Sequence, residues 1–197
     1  MEKKLKPLDV LDRLQQRQVR IFSPEEFRRI FSVSLRATQE FIKDHQKDLF
    51  VKLRNGLYTL RMNFPNEFEI ANRLYQPSYV SFEYALAHHH MIPEVVYTIT
   101  SATTRITRSF VARGMLFEYS KIKSMAYRGY SCEGKDGATI LVAGPEKALV
   151  DYLYFVDLKL KAWNDRLALR KINKKLVLQY ASYFERESLN KRIKDLL

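Results

Sequence analysis

The sequence predicts an α+β protein, and three features of its pattern point to that class. Between residues 20 and 61, two helix-length stretches precede a pair of short strands that are joined through Asn-Gly. From residue 65 onward, strand-like runs alternate with buried helical stretches. The carboxyl-terminal residues are basic and carry helical apolar stripes. We therefore expect two domains, residues 1–64 and 65–197, and the second should end in a helical basic tail.

The first two predicted helices form a pair. Ser23 can cap the first one, Pro24 suits the first helical position, and Glu26 can close a capping box with Ser23. Ser32-Val33-Ser34 then interrupts the helical pattern. A second helix should follow, with one face made by residues at steps of three and four: Leu35, Thr38, Ile42, His45 and Leu49. Polar and basic residues lie outside that face: Arg36, Gln39, Lys43 and Lys47.

A basic hairpin is predicted directly after these helices. Two strand-like runs, Phe50–Leu53 and Leu57–Leu60, are joined through Arg54-Asn55-Gly56, and Asn-Gly supplies the positive φ angles that a tight turn needs. Helix, turn, helix and hairpin in this order predict an amino-terminal winged helix-turn-helix, which binds double-stranded DNA. The alternative is a small structural helical pair with a solvated basic surface.

The winged-helix interpretation selects candidate DNA-binding residues. A recognition helix places its base contacts in its first turns, and Arg and Gln can each make bidentate bonds to purine edges. Thr38 has a core position as its alternative, so Arg36 and Gln39 are the stronger candidates. Basic side chains on the hairpin should contact phosphates. The full predicted set is Ser34, Arg36, Thr38, Gln39, Lys43, Lys52, Arg54, Asn55 and Arg61.

The net charge of +12 is distributed unevenly. Residues 1–61 hold 14 Lys/Arg against 8 Asp/Glu, giving +6, and residues 159–197 hold 11 against 4, giving +7. Residues 62–158 hold 9 against 10, giving −1. Basic ends favour binding to a polyanion, although charge alone discriminates poorly between DNA, RNA and membrane.

The sequence also indicates a compartment. Cys132 is the single cysteine and cannot form an intramolecular disulfide. Residues 1–7 lack the apolar core of a signal peptide, and no stretch approaches the ~20 apolar residues of a membrane span. We expect a cytoplasmic protein with no membrane partner.

The remainder of the chain predicts a mixed α/β domain. A helix should start near Glu67 and end before Pro77, and Ser81 should cap a buried helix that reaches His90. Another helix should open at Gly144-Pro145-Glu146, and the tail should be helical from Leu160. Turn residues separate the predicted strands, which are Tyr79–Val80, Val95–Thr100, Arg108–Val111, Leu116–Tyr119 and Thr139–Val142.

Three groups of residues could carry chemistry, and none predicts an enzyme. His88-His89-His90 point about 100° apart on a helix and cannot converge on one metal, so we expect one in the core and the others at the helix end. Glu146 and Asp151 are five residues apart and do not share one face of a helix, which favours structural roles for both. The hydroxyls of residues 98–107, with Arg105 and Arg108, suit an anion, but an exposed strand is the simpler interpretation. We expect no metal, cofactor or catalytic residue.

Four segments resemble the AbiEi family of transcriptional regulators, the antitoxins of type IV abortive-infection systems. They occur in the family's order and cover about residues 20–155: Lys52–Tyr58, Pro77–Leu86, Val96–Arg105 and Ala143–Asp151. The resemblance implies a bacterial repressor that binds its own promoter and counteracts a nucleotidyltransferase-like toxin without a stable complex. The alternatives are an RNA-binding or toxin-binding module and an enzyme that acts on a nucleotide through the Thr/Arg strand.

Overall fold

A computed structural model describes residues 5–169 and 172–197 of the chain. This part of the chain is mixed α+β with helices and two sheets, which confirms the predicted class. It divides into two compact units, one that ends at Asn66 and one that runs from Glu67 to Leu197. The division falls two residues beyond the predicted limit at residue 64. Residues 1–4 of the predicted first domain lie outside the described ranges.

The first unit alternates helices with the strands of one small sheet. Its elements are α1 (Pro7–Gln16), β1 (Ile21–Phe22), α2 (Pro24–Phe31), α3 (Leu35–Asp44), β2 (Phe50–Arg54) and β3 (Leu57–Leu60). The sheet has the order β1-β3-β2, and both pairs are antiparallel. The sequence patterns predicted α2, α3 and the β2–β3 hairpin but neither α1 nor β1.

The capping chemistry of α2 is as predicted, and α3 has a cap that was not predicted. Ser23 N donates to Glu26 Oε2 at 2.7 Å, and Glu26 N donates to Ser23 Oγ at 3.2 Å, so the capping box is closed. Ser32 ends α2 in a left-handed conformation, and Ser34 Oγ caps α3. The second helix is shorter than predicted because it ends at Asp44, and His45 and Leu49 follow it in a turn.

The hairpin turn differs from the prediction. Gly56 has a φ of +71°, whereas Asn55 is not among the residues with positive φ. The register shifts between Lys52 and Arg54. Asn55 and Gly56 form a two-residue loop between the paired Arg54 and Leu57, with one positive φ angle in place of the two expected and a bulge in β2 beside it.

Aromatic side chains fill the core of the first unit. Phe22, Phe27 and Phe50 contact one another with ring centroids 5.3–6.2 Å apart. Val10 and Leu14, four residues apart on α1, are fully buried in the same cluster. The two elements that sequence reasoning missed thus supply the core with Phe22 and the apolar face of α1.

The second unit is built around a six-stranded sheet. Its helices are α4 (Glu67–Leu74), α5 (Phe82–His88), α6 (Pro145–Asp157), α7 (Lys174–Ser182) and α8 (Glu187–Leu196). Its strands are β4 (Ser78–Val80), β5 (Ile99–Thr103), β6 (Arg108–Ala112), β7 (Met115–Lys121), β8 (Tyr130–Lys135) and β9 (Ala138–Ala143), with a short 3₁₀ turn at Ser124–Ala126. The order is β6-β7-β5-β4-β9-β8. The predicted mixed sheet is confirmed, because β4–β9 and β5–β7 are parallel and the other pairs are antiparallel.

Three local predictions for this unit are wrong. β5 starts at Ile99 and not at Val95, at the residue where its pairing with β7 begins. β8 was not predicted. The tail is not helical between Leu160 and Leu169, because side chains hold this segment in a loop. Lys161 Nζ donates to both carboxylate oxygens of Glu83 at 2.7 and 2.6 Å, and Tyr152 Oη donates to Ala162 O at 2.6 Å.

A buried polar network joins α6 to the sheet. Asp151 and Lys147 are almost completely buried, and Lys147 Nζ donates to Asp151 Oδ1 at 2.5 Å. Tyr79 Oη and Ser81 Oγ both donate to Asp151 Oδ2, at 2.9 and 2.7 Å. Burial raises the pKa of Asp151 above its ordinary value, while the Lys147 ammonium and the two hydroxyls act in the opposite direction.

Asp157, the last residue of α6, attaches α8. It accepts hydrogen bonds from Arg186 Nε and from Ser188 Oγ, and Arg192 lies 3.7 Å away. Burial alone would raise the pKa of Asp157, but these hydrogen bonds and the two guanidinium charges hold it below its usual value. Part of the positive charge of the tail is therefore neutralised within the fold.

Candidate nucleic-acid interface

One face of α3 presents polar side chains. Arg36, Gln39 and Lys43 are exposed, and Phe41 and Ile42 on the other side are buried. At about 100° per residue, the steps from 36 to 39 and from 39 to 43 keep the three polar side chains within roughly 60° of one another. Because the opposite side of α3 holds it against the aromatic core, this stripe is fixed toward the outside of the unit.

Arg36 has an acidic neighbour on the same stripe. Its Nε donates to Glu40 Oε1 at 2.9 Å, and the two side chains are 88% and 61% exposed. Exposed ion pairs of this kind contribute about 0.2–1 kcal/mol. The contact with Glu40 therefore contributes little to fixing the Arg36 guanidinium.

The structure removes one predicted residue and reassigns another. Thr38 is fully buried, and its hydroxyl donates to Ser34 O at 3.0 Å, so it cannot reach a base edge without leaving the core. The core alternative applies to Thr38, and its inclusion among the DNA-binding residues was wrong. Ser34 Oγ accepts from Ala37 N at 3.2 Å and is engaged in capping α3.

The β2–β3 hairpin carries the remaining predicted residues. Lys52, Arg54, Asn55 and Arg61 are all exposed. Arg54 Nη1 donates to Asn55 O at 2.8 Å, which holds the guanidinium close to the turn. The hairpin is anchored from below, since Leu53, Leu57 and Leu60 are buried.

A small groove connects the α3 stripe to the hairpin. It has a volume of about 190 Å³ and lies between the start of α2, the outer side of α3 and strand β3. Gln39 and Lys43 line it together with two residues that sequence reasoning missed, Gln46 and Tyr58. Tyr58 is partly exposed between the buried Leu57 and Thr59, so the alternation of β3 could have indicated it. The groove makes α3 and β3 one continuous surface.

The histidines lie in the second unit and serve its packing. The His88 ring contacts Phe68 at 5.1 Å, and its Nε2 lies 3.5 Å from Glu133 Oε2. Burial first, and then the charge of His89, lower the pKa of His88. His89 caps α5, and its Nε2 lies 2.7 Å from Ala143 O. Among the described residues, no group of three or more His, Cys, Asp or Glu side chains is arranged to hold a metal.

The hydroxyls of residues 98–107 are not on an exposed strand. Thr100, Ser101 and Thr103 are buried, so the prediction of an exposed strand is wrong, whereas residues 105–109 that follow it are exposed. Thr100 Oγ1 donates to Ser81 O and Thr103 Oγ1 to Pro77 O, both at 2.7 Å. These hydroxyls join strands and are not available to an anion. Arg105 and Arg108 remain exposed.

Glu146 and Asp151 have separate surroundings. Glu146 Oε1 accepts from Asn173 N at 3.0 Å, just before α7. Asp151 pairs with Lys147, which lies four residues earlier on one helical face. The two carboxylates therefore do not face a common substrate position.

Within the described ranges, no helix is long and apolar enough to cross a bilayer. Comparison of the chain with models of known protein families and with curated proteins gives no match.

Proposed function

We propose that the unit ending at Asn66 is a winged helix-turn-helix that binds double-stranded DNA at the promoter of its own gene. The arrangement of the α3 stripe carries this proposal: Arg36, Gln39 and Lys43 face outward from the second of two capped helices, beside a basic hairpin. The element order, α1-β1-α2-α3-β2-β3 with the sheet order β1-β3-β2, is the order of a winged helix. α3 is then the recognition helix and the β2–β3 hairpin is the wing.

In this proposal α3 reads bases in the major groove. Arg36 binds a guanine through its two acceptors, and Gln39 binds an adenine through one donor and one acceptor. Lys43, one turn further along the stripe, contacts a phosphate. Glu40 remains on the reading face and can accept from a cytosine amino group once Arg36 has moved to its base.

The wing supplies contacts that do not depend on sequence. Lys52, Arg54 and Arg61 bind phosphates and set the position of α3 along the duplex. Asn55 presents its amide at the tip of the same hairpin. Direct readout therefore rests on α3, and most of the salt-dependent affinity rests on the wing.

We further propose that the chain is an AbiEi-type antitoxin of the bacterial cytoplasm. The second unit would counteract a nucleotidyltransferase-like toxin without forming a stable complex with it. Hydrogen bonds between the family-like segments support this: Tyr79 and Ser81 from one segment donate to Asp151 in another, and Thr100 from a third donates to Ser81 O. Three of the four segments that carry the resemblance, those of the second unit, are thus joined by buried hydrogen bonds.

The test compares two duplexes of equal length at one salt concentration. The full chain is titrated by fluorescence anisotropy against the DNA upstream of its own gene and against a shuffled version of that DNA. We expect tighter binding to the upstream DNA by roughly 10³-fold or more. Equal affinity for both duplexes contradicts the proposal, and equal affinity for RNA of the same length would favour the RNA-binding alternative. In a second arm, the chain is co-expressed with the product of the neighbouring gene, and restored growth is the expected result.

A further inference from the structure

The β6–β7 hairpin is a basic surface within the neutral middle of the chain. Residues 104–123 hold five Lys/Arg and one Asp/Glu, whereas residues 62–158 as a whole hold 9 against 10. β6 lies at one edge of the six-stranded sheet and pairs with β7. Arg108, Ser109 and Val111 on this edge are exposed. The positive charge is therefore concentrated on the β6–β7 hairpin and the residues that flank it.

Two arginines of this hairpin contact one aromatic cluster. The rings of Tyr75, Phe110 and Tyr119 contact one another at 5.3–5.8 Å. The Arg105 guanidinium lies 4.7 Å from the centre of the Tyr75 ring, and that of Arg108 lies 5.7 Å from the centre of the Phe110 ring. Lys121 follows Tyr119 by two residues on β7 and is exposed. We call Arg105, Arg108 and Lys121 the hairpin cluster.

The strand register places the hairpin cluster on one side of the sheet. Arg108 is paired with Tyr119 across the two strands, and residues two apart on a strand point to the same face. Lys121 and Arg108 therefore share the face of Tyr119, and Arg105 joins them through its contact with Tyr75. Glu118, the acidic residue of the hairpin, is one residue from Tyr119 and points to the opposite face. α4 packs on the side of Tyr119 and carries Glu67, Glu69 and Arg73, and Glu67 lies 3.7 Å from the Lys135 ammonium.

Two contacts with neighbouring groups orient the Arg105 guanidinium and fix its plane. The group packs against the Tyr75 ring, and its Nη1 donates to Gln76 O at 3.2 Å. This bond uses one of its five N–H groups. Arginine forks match phosphate oxygens in a bidentate manner, and a fork that is already positioned loses less entropy on binding.

We propose that the hairpin cluster binds the phosphodiester backbone of a nucleic acid, as a contact surface of the second unit separate from α3 and the wing. The contact is independent of sequence, because phosphates carry no base information. It does not depend on the winged-helix assignment.

The experiment uses the full chain and three probes: a duplex with the upstream DNA, a shuffled duplex, and single-stranded RNA of equal length. The variant Arg105→Gln/Arg108→Gln/Lys121→Gln removes the three charges. The matched control Lys175→Gln/Lys191→Gln/Lys194→Gln removes three exposed charges from the tail of the same unit. The dependence of log K on log salt is measured for each. Loss of three phosphate contacts should flatten the slope by about two to three units on the nucleic acids that the surface contacts, and the control should change it by less than one.

The outcomes separate several explanations. A flatter slope on RNA alone identifies a single strand as the ligand, and a flatter slope on both duplexes to the same degree identifies double-stranded DNA. Equal losses in the two triple variants, or unchanged slopes in the cluster variant, overturn the proposal. Polyglutamate of matched charge serves as a competitor, and its displacement of nucleic acid from the hairpin cluster would also overturn it. An Arg36→Ala defect confined to the upstream duplex tests the winged-helix proposal separately.

A charge-preserving variant controls for folding. Arg105→Lys/Arg108→Lys keeps the charge but loses the fork, so the salt slope should stay near that of the wild type while affinity falls by several-fold. If the Gln variant has a lower melting temperature and the Lys variant does not restore the slope, the arginines are structural and the proposal fails.

Discussion

At the scale of single residues, neighbours determine what each predicted side chain can do. Thr38 and Arg36 are two positions apart on α3, yet the hydroxyl of Thr38 is buried against Ser34 O while Arg36 is 88% exposed. The helical period placed Thr38 on the inner face and Arg36 outside it, and Thr38 became a candidate contact only through its place in the first turns of the helix. The structure distinguishes them through burial, which depends on the aromatic core that α3 packs against.

Arg36→Ala tests base reading. We expect a loss of about 1–3 kcal/mol on the upstream duplex and little change on shuffled DNA, because a base contact is specific to one site. Arg17→Ala, an exposed position at the end of α1, is the matched control for removal of one arginine charge. Anisotropy titrations at one salt concentration measure both. Equal losses of binding free energy on the two duplexes would mean that Arg36 contacts a phosphate and not a base.

Lys147→Met tests the buried ion pair. Removal of the ammonium leaves the Asp151 carboxylate buried and should cost about 3–5 kcal/mol at neutral pH. The pKa of Asp151 is raised by burial and will rise further in the variant. A carboxyl whose pKa is higher in the folded than in the unfolded state stabilises the fold fully at pH values below its unfolded-state pKa, and this stabilisation is lost as pH rises. The loss of unfolding free energy in the variant should therefore be smaller near pH 4 than near pH 8.

Urea unfolding at several pH values measures this deficit. Lys161→Met is the control, because its partner Glu83 is 27% exposed and can be hydrated after the change. The control should show a smaller and flatter deficit. A Lys147→Met deficit that does not vary with pH would mean that Asp151 is not charged in the folded wild type.

At the scale of elements, the sequence predicted those that carry their own local signal. The capping box of α2 and the turn residues of the hairpin are complete within a few positions, so they could be recognised without tertiary information. β1 has two residues and exists through its pairing with β3, which no local pattern reports. β8 contains Glu133 and Gly134, which have low β-propensity, and it is held by β9. The exposed arrangement of the candidate interface was predictable from helical period, while the groove with Gln46 and Tyr58 required the fold.

The wing is tested by its salt dependence. Lys52→Ala, Arg54→Ala and Arg61→Ala should each weaken binding to all duplexes and lower the salt slope by about one unit. Lys6→Ala, an exposed position at the start of α1, controls for loss of one charge in the same unit. If a hairpin variant keeps the wild-type slope, that side chain does not contact a phosphate.

The glycine of the hairpin turn, Gly56, can be compared with a control glycine, Gly134. Gly56 has a φ of +71°, so Gly56→Ala should cost about 1 kcal/mol although a Cβ there meets no atom within 4 Å. Gly134 in β8 also has open space and lacks a positive φ, so Gly134→Ala should be neutral or slightly stabilising. Thermal unfolding measures both. Equal effects would show that the conformation of Gly56 does not limit the turn.

At the scale of the whole molecule, the two units are proposed to have separate tasks. Variants that remove the three wing charges together should lose binding to the upstream duplex yet still protect cells from the toxin. The converse is expected for Asp151→Ala, which disrupts the network of the second unit and should abolish protection while the first unit keeps its fold. Reporter repression and growth in the presence of the toxin are measured in the same strains. Loss of both functions in the wing variant would reject the division.

The order of strands has a consequence for synthesis of the chain on the ribosome. Every strand of the first sheet lies between Ile21 and Leu60, so this sheet can close as soon as Asn66 has left the exit tunnel. The second sheet cannot form until much more of the chain has been made. Val80 of β4 pairs with Val142, and Tyr79 of β4 donates to the carboxylate of Asp151. At about 5–20 residues per second, translation from Asn66 to Asp157 takes roughly 5 to 20 s. During that interval each nascent chain carries a finished first unit and an unfinished second one, so the first unit matures earlier in every round of translation.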